Sequence, residues 1–247
     1  MSNLILDIGN TRCKAAIVEQ GNVLEACAME QPDKEWLSDL CHRHSAKRAI
    51  ASVVGPMPDF DTILPESMKK GFHLLSCRSS FPMAIGYDTP ETLGMDRLAA
   101  VVGARELCPN TPLMVVDAGT CITIDLLDDT DCYRGGAILP GIDMRFRAMH
   151  DYTASLPLVT LSDDERNGCT PPPFAGTSTR SSLTTGVCRA VLFEIQGFAE
   201  EYQRRYGALK LFLTGGNTDF FAKQLFFPNF ANPNLIYIGL DKLLEIN

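Results

Sequence analysis

Asp7-Ile8-Gly9-Asn10-Thr11 follows a short apolar segment at the start of the chain, and Asp117-Ala118-Gly119-Thr120 follows another apolar segment in the second half. Glycine in such a turn lets the backbone approach a phosphate oxygen, which a Cβ atom would obstruct. The turn amides and the threonine hydroxyl can donate hydrogen bonds to the anion. The aspartate cannot bind phosphate directly, so we expect it to hold a cation or a water molecule that does. The pair of turns predicts a duplicated cradle for the phosphates of a nucleotide.

Each turn alone is explained equally well by an ordinary hairpin, because Asp, Gly and Asn all favour turns. Two similar turns at matching places in two halves favour the phosphate cradle. Other nucleotide-binding loops are absent from the sequence: there is neither a G-x-x-x-x-G-K-[S/T] motif nor a G-x-G-x-x-G motif. A P-loop kinase and a Rossmann dehydrogenase are therefore disfavoured.

The composition indicates a globular protein with an acidic balance. Of 247 residues, 45% are hydrophobic and 21% charged, and the formal net charge is −8, which disfavours nucleic acid as a partner. The first residues lack the pattern of a signal peptide, and no apolar stretch approaches the ~18 residues of a membrane span. The nine cysteines contain no C-x-x-C pair and are interpreted as free thiols. We expect a cytoplasmic protein that neither binds nucleic acid nor enters a membrane.

The order of the predicted elements indicates an internal duplication. In the first half the patterns predict strands at Asn3–Leu6, Lys14–Glu19, Val23–Met29, Arg48–Val54 and Phe72–Leu75, and helices near Trp36–Cys41, at Phe60–Lys70 and at Gly94–Cys108. In the second half they predict strands at Leu113–Val116, Cys121–Leu127, Tyr133–Leu139, Lys210–Thr214 and Leu235–Ile238, and helices after Gly141, over Ser178–Tyr206, after Asn217 and from Gly239. Two β-β-β-α-β-α-β units predict an α/β protein with domains at 1–110 and 111–247.

A second set of candidate residues lies at the start of the helix after the first unit's strands. Asp96 in Gly94-Met95-Asp96-Arg97 is either an acid favoured by the helix dipole or the base that takes a proton from an attacking hydroxyl. Arg97 could bind a substrate carboxylate through both of its terminal nitrogens. Tyr87 is either a packing aromatic or part of the same site.

A further candidate lies in the second half of the chain. Thr214-Gly215-Gly216-Asn217 is either a plain glycine turn or a contact for the phosphate or sugar of a nucleotide.

Taken in order, four motifs resemble those of the type III pantothenate kinases. They are Asp7–Thr11, Gly94–Arg97, Asp117–Thr120 and Gly136-Ala137-Ile138-Leu139-Pro140-Gly141. The resemblance runs from the first strand to Gly239. It implies a duplicated ribonuclease H-like (actin-like ATPase) fold, with two mixed sheets flanked by helices around a central cleft. It also implies ATP-dependent phosphorylation of pantothenate to 4'-phosphopantothenate, the first step towards coenzyme A, by a homodimer.

The resemblance also implies roles for particular residues. Asp96 would be the proton acceptor, and Asp117 would hold a monovalent cation, K⁺ or NH₄⁺. ATP, with Mg²⁺, would contact the segment Asp7, Ile8, Gly9, Asn10, Thr11, Arg12, Cys13 and Lys14, together with Thr120. Pantothenate would contact Tyr87, Gly94, Met95, Asp96, Arg97 and Thr179.

Some features leave alternatives open. Met95 replaces a residue that is small in the family, and Cys121 stands where the family usually has alanine. The polar pair before the substrate threonine is Thr177-Ser178, so Thr177 competes with Thr179 for the substrate contact. Another small-molecule kinase of the superfamily, acting on a sugar or acetate, is an alternative enzyme. A non-catalytic ATP-binding regulator is a second alternative, which loss of Asp96 would favour.

Overall fold

The computed structural model describes residues 1–30 and 32–247, which form two compact units. The first comprises Met1–Pro109 together with Asn234–Asn247, and the second comprises Asn110–Pro233. No helix in the described part of the chain is long and apolar enough to cross a membrane.

The first unit alternates strands and helices. Its elements are β1 (Ser2–Ile8), β2 (Cys13–Glu19), β3 (Asn22–Met29), α1 (Lys34–Arg43), β4 (Arg48–Val53), α2 (Phe60–Ile63), α3 (Glu66–Lys69), β5 (Phe72–Leu74), β6 (Ala84–Ile85), a 3₁₀ turn (Pro90–Thr92), α4 (Met95–Leu107) and, from the end of the chain, α10 (Leu235–Ile246). The Asp33 carboxylate caps α1 by accepting from the Trp36 amide.

Strand pairing fixes the neighbours of the first candidate loop. The sheet order is β3-β2-β1-β4-β5. Because β1 pairs antiparallel with β2 and parallel with β4, Asp7 lies opposite Lys14 on one side and Ser52 on the other. One face of the sheet packs against α1 through Leu37 and Leu40, which are fully buried.

The second unit repeats this pattern. Its elements are β7 (Leu113–Ala118), β8 (Cys121–Leu127), β9 (Cys132–Pro140), α5 (Ile142–Asp151), α6 (Asp163–Arg166), α7 (Thr179–Thr184), a π-helical turn (Thr185–Arg189), α8 (Ala190–Tyr206), β10 (Lys210–Thr214), α9 (Thr218–Gln224) and β11 (Asn229–Ala231).

The strands of the second unit follow the same order as those of the first, β9-β8-β7-β10-β11. β7 pairs antiparallel with β8 and parallel with β10, so that Asp117 lies opposite Thr123 and Thr214. Two mixed sheets flanked by helices share this order over five strands, which confirms the predicted ribonuclease H-like duplication.

The end of the chain departs from the predicted domains and elements. The expected second domain, 111–247, included the last segment, whereas Asn234–Asn247 belongs to the first unit. Leu235–Ile238, predicted as a strand, forms the first turn of α10. An apolar run rich in β-branched and aromatic residues does not distinguish a buried strand from a helix buried on most of its surface.

Two predicted helices differ in detail. The helix expected over Phe60–Lys70 is divided into α2 and α3 because Pro65 keeps the preceding Leu64 in an extended conformation (ψ 140°). The helix expected over Ser178–Tyr206 runs through a π-helical turn between α7 and α8. Such turns insert an extra residue into a helix and occur often at functional sites.

Helices α4 and α10 approach each other closely at two glycines. A Cβ atom on Gly239 would overlap the carbonyl oxygen of Ala99, and one on Gly103 would overlap that of Leu235. The Asp241 carboxylate, on the same helix, accepts hydrogen bonds from the Asn3 side chain (2.7 Å) and the Gly21 amide (2.9 Å). The last helix is therefore integrated into the first unit by close packing and by a buried carboxylate.

We expect Gly239→Ala to lower the free energy of unfolding by about 1–3 kcal/mol, because the added methyl group forces the two helices apart. Urea unfolding followed by circular dichroism measures the change. Gly197→Ala in α8 is the control, since a Cβ there meets nothing within 4 Å, and replacing an exposed helical glycine stabilises by roughly 0.5–1 kcal/mol. Equal stability of the two variants would contradict the close packing of α4 on α10.

Candidate active site

The first loop joins β1 to β2 and exposes its tip. The Gly9 amide donates to the Arg12 carbonyl at 3.0 Å, which closes the turn. The three residues of the tip, Asn10–Arg12, are exposed, whereas the flanking Ile8 and Cys13 are buried in the core. Only the backbone of Ile8 and Cys13 could therefore contribute to a nucleotide site. Burial and the charge of Asp7 raise the pKa of the Cys13 thiol to about 11, which keeps it neutral.

The Asp7 carboxylate is buried beside the loop and has different partners at its two oxygens. Ser52 Oγ donates to Asp7 Oδ1 at 3.0 Å, and Lys14 Nζ lies 3.8 Å from Asp7 Oδ2. Burial raises the pKa of the Asp7 carboxyl above its ordinary value, while the Lys14 charge and the Ser52 hydrogen bond lower it. Both partners favour the ionised form, which is the form that binds a cation, whereas burial opposes it.

The segment that leaves β4 supports the first loop from behind. The amides of Val54 and Gly55 both donate to the Ile8 carbonyl, at 2.9 and 3.3 Å. A Cβ atom on Gly55 would overlap the carbonyl oxygen of Gly9. The segment that follows β4, the parallel neighbour of β1, therefore determines where the backbone of the first loop lies.

The second loop joins β7 to β8 in the same manner. The Gly119 amide donates to the Cys121 carbonyl at 2.9 Å, and Thr120 is exposed at the tip. A Cβ atom on Gly119 would come no closer than 3.6 Å to any neighbouring atom. The space in front of this glycine is therefore available to a ligand.

Two further glycines support the second loop. The Gly141 amide donates to the Thr120 carbonyl at 3.1 Å, and a Cβ on Gly141 would overlap that oxygen. Gly215 has φ +91°, and a Cβ atom there would overlap Asp117 Oδ1. In the same turn, the Asn217 amide donates to the Ala118 carbonyl at 3.0 Å. The turn after β10 is thus packed directly on the Asp117 carboxylate.

Gly94–Arg97 begins α4, as predicted. Gly94 is the N-cap, and Asp96 Oδ1 accepts from the Arg97 amide at 2.9 Å. The Asp96 carboxylate lies so close to the Gly94 Cα that a Cβ there would be 2.5 Å from Oδ1. Position 94 is therefore glycine because a larger residue would clash with the Asp96 carboxylate. Asp96 is half-buried, and the Met95 side chain is buried.

Arg97 and Tyr87 lie together in the first unit. The Arg97 side chain is 6% exposed, and its Cζ lies 6.0 Å from the centroid of the Tyr87 ring. This distance permits a cation–π interaction. The Gly94–Arg97 motif and the loop that carries Tyr87 therefore lie side by side.

The two threonine candidates lie on one cavity of the second unit. The cavity has a volume of about 530 Å³ and is lined by Met149, Leu156, Leu183, Thr177, Ser178 and Thr179, among others. Thr179 is the first residue of α7, and the Ser178 hydroxyl caps that helix. Thr177 and Thr179 are both exposed, so the geometry is compatible with either as a substrate contact.

The donor set fits a divalent ion that arrives with a nucleotide. The described residues contain no cluster of three or more His, Cys, Asp or Glu side chains that could hold a metal. Mg²⁺ commonly binds through one or two carboxylates, water and substrate phosphates. A carboxylate beside an exposed glycine turn matches that requirement.

Comparison with known proteins identifies the family. A model of the type III pantothenate kinases matches residues 3–201. The chain belongs to the type III pantothenate kinase family. The type III pantothenate kinase of Phocaeicola vulgatus is 37% identical over 99% of this chain and 98% of its own length. The enzyme of the same name from Flavobacterium johnsoniae is 35% identical over 98% and 97%.

Solved structures show the same fold at lower identity. The activator of the 2-hydroxyisocaproyl-CoA dehydratase from Clostridium difficile, with bound ADPNP, superimposes with a TM-score of 0.54. The match covers 100% of this chain and 94% of that one, at 13% identity. It shows the fold of the chain, which is the fold that the family resemblance implied.

Sequence reasoning missed Ser52 and Gly55, and it named Gly215 only within a motif that is either a plain glycine turn or a nucleotide contact. Ser52, Gly55 and Gly215 touch the Asp7 carboxylate, the first loop and the Asp117 carboxylate. For Ser52 the available signal was a hydroxyl inside a buried apolar strand. For Gly55 and Gly215 the signal was a glycine shortly after β4 or β10, the strands that pair in parallel with β1 and β7.

Gly215→Ala should lower the free energy of unfolding by about 1–3 kcal/mol, because its Cβ would displace the Asp117 carboxylate and φ +91° strains a residue with a side chain. Chemical denaturation without nucleotide measures the effect. Gly216→Ala is the matched control, since a Cβ there meets nothing within 4 Å, and we expect a change within about 0.5 kcal/mol. If both variants are as stable as wild type, Gly215 does not position the carboxylate.

Proposed function

We propose that this chain phosphorylates pantothenate with ATP, giving 4'-phosphopantothenate in the first step of coenzyme A biosynthesis. The observation that carries this function is the match to type III pantothenate kinases over nearly the whole chain. The geometry supports it, because both phosphate-loop turns and the Gly94–Arg97 helix start are present with their carboxylates.

Asp96 is proposed as the general base. Its carboxylate is half-buried at the start of α4, where the Arg97 amide fixes one oxygen through a 2.9 Å hydrogen bond. The helix N-terminus and this hydrogen bond favour the charged carboxylate. The base would accept the proton of the primary hydroxyl of pantothenate as that oxygen attacks the γ-phosphate.

Arg97 is proposed to bind the carboxylate of pantothenate. A guanidinium offers two parallel donors to a carboxylate, and a buried one does so with little screening by water. Tyr87, beside the guanidinium, would restrict its orientation. Gly94 and Met95 would line the same site through their backbone.

The first loop, Asp7–Lys14, is proposed to bind the phosphates of ATP with Thr120 of the second loop. Lys14 supplies a positive charge to this loop, while Asp7 faces the site of the divalent ion. Bound Mg²⁺ would neutralise phosphate charge as the transition state develops. The residues of the chain contribute alignment through the backbone amides of the exposed tip, Asn10–Arg12, and through the Thr11 and Thr120 hydroxyls.

Asp117 is proposed to hold K⁺ or NH₄⁺. The two units differ at one paired position: Asp7 lies opposite Lys14, whereas Asp117 lies opposite Thr123. The first carboxylate therefore has a lysine beside it, and the second has a hydroxyl-bearing residue in the equivalent place. A hydroxyl oxygen beside the carboxylate can help to bind a monovalent cation, whereas the ammonium group of a lysine would repel it.

We further propose a cytoplasmic homodimer in which Thr179 or Thr177 contacts pantothenate. Arg145 and Glu194 join α5 to α8 (2.6 and 2.8 Å), and each of these helices exposes a large apolar side chain beside the pair. These side chains, Met144 and Phe193, are 40% and 64% exposed and suit a protein interface. Sedimentation equilibrium tests the dimer, and a single species of 27.1 kDa would refute it.

The cytoplasmic location is proposed from the cysteines. All nine cysteines are free thiols, which suits a reducing compartment.

The alternatives are less well supported. A sugar or acetate kinase shares the phosphate loops, but the family match extends through the Gly94–Arg97 motif. A non-catalytic regulator would have no need for Asp96, which is present and positioned at the helix start.

Asp96→Asn is expected to reduce kcat by at least about 100-fold, because the amide cannot accept the proton. ATP affinity, measured by calorimetry, should be unchanged. Asp129→Asn makes the same isosteric change at an exposed carboxylate in the β8–β9 turn and should leave kcat unaltered. Turnover near the wild-type rate in Asp96→Asn would remove this residue from the role of base.

A substrate panel tests the activity itself. With ATP and Mg²⁺, we expect phosphorylation of pantothenate and none of glucose or acetate, measured by ADP release. The rate should be higher in K⁺ or NH₄⁺ than in Na⁺ at equal ionic strength, because the Asp117 site selects by ion size. Phosphorylation of a sugar in place of pantothenate would overturn the assignment, and equal rates in all salts would overturn the monovalent site.

A further inference from the structure

Ser52 is a polar residue in the middle of a buried sheet. It is 0% exposed and lies on β4 between the apolar Ala51 and the half-buried Val53. A buried hydroxyl costs free energy unless it forms a hydrogen bond. Its hydrogen bond goes to Asp7, the residue directly opposite it in the parallel pairing of β1 with β4.

The hydrogen bond distinguishes the two oxygens of the Asp7 carboxylate. Oδ1 accepts from Ser52 Oγ at 3.0 Å, and Oδ2 lies towards Lys14 Nζ at 3.8 Å. A carboxylate held at one oxygen cannot rotate about its terminal bond without losing that hydrogen bond. Ser52 therefore fixes the plane of the carboxylate and keeps the second oxygen towards Lys14.

The second unit has the same feature at the same place. Thr214, on β10, lies directly opposite Asp117 in the parallel pairing of β7 with β10 and is 1% exposed. A buried hydroxyl residue thus occurs opposite the loop aspartate in both units. Packing alone does not explain this repetition, because an apolar side chain would fill either position.

We propose that Ser52 is a positioning residue for nucleotide binding, which turns the Asp7 carboxylate so that Oδ2 serves the metal–phosphate end of ATP. The inference rests on the proposed function for the identity of the nucleotide. It assigns to β4 an active role in the site, in addition to its place in the sheet.

The experiment compares Ser52→Ala with Ser52→Thr, which keeps a hydroxyl donor. Calorimetry measures the Kd for the non-hydrolysable analogue AMP-PNP with Mg²⁺, and steady-state kinetics measures KM for ATP and for pantothenate. We expect Ser52→Ala to weaken nucleotide binding about tenfold, as for loss of a hydrogen bond to a charged group, and to leave KM for pantothenate unchanged. Ser52→Thr should restore affinity to within about threefold of wild type.

Ile50→Val is the structural control. Ile50 is on β4, two residues before Ser52 and therefore on the same face of the sheet, and is fully buried. Its truncation should lower the thermal midpoint without changing nucleotide affinity. If Ser52→Ala does not fold, Ser52→Cys keeps the shape of the side chain, with a slightly larger atom and a much weaker donor, and should show the same loss of affinity.

Nucleotide affinity within twofold of wild type in both Ser52→Ala and Ser52→Cys would overturn the proposal. An equal loss in Ile50→Val would also overturn it, because the effect would then follow from stability. Failure of the wild type to phosphorylate pantothenate would instead refute the proposed function, since the calorimetric comparison does not depend on the acceptor.

Discussion

The parallel pairing of each unit's first strand with its fourth is the constraint on which both candidate loops depend. In the first unit, β4 ends beside the turn that follows β1, and in the second unit β10 ends beside the turn that follows β7. In both cases a glycine after the parallel neighbour packs against the loop: Gly55 on the Gly9 carbonyl and Gly215 on the Asp117 carboxylate. The position of each candidate loop is thus set by a strand distant in sequence.

The same scaffold gives the two aspartates different surroundings. Asp7 is buried, with Lys14 on the antiparallel side and Ser52 on the parallel side. Asp117 is half-buried, with Thr123 and Thr214 in the equivalent positions. A carboxylate beside a lysine and one among hydroxyl residues differ in the cations that they can hold. Duplication therefore provides two similar backbones, and single side chains on the paired strands give the two carboxylates different surroundings.

Local patterns in the sequence predicted much of this arrangement. The loop motifs, the β-β-β start of each unit and the Gly94–Arg97 helix start depend on neighbours close in the chain, where turn chemistry and periodicity are informative. The contacts that Ser52, Gly55 and Gly215 make with the loops could not be assigned in this way, because these contacts are formed across a parallel strand pairing. Likewise, nothing near Pro109 in the sequence indicates that the final helix returns to the first unit.

That return links the end of the chain to the first loop. Asp241 on α10 accepts hydrogen bonds from Asn3 on β1 and from Gly21 in the β2–β3 turn. Tyr237, one helical turn earlier, is buried near Asp7, and burial together with the Asp7 charge raises the pKa of the Tyr237 hydroxyl. The strand that carries Asp7 is therefore packed by a helix made from the last residues of the chain. Because a packed interior transmits displacement, the geometry of the first candidate loop depends on α10 as well as on the strands beside it.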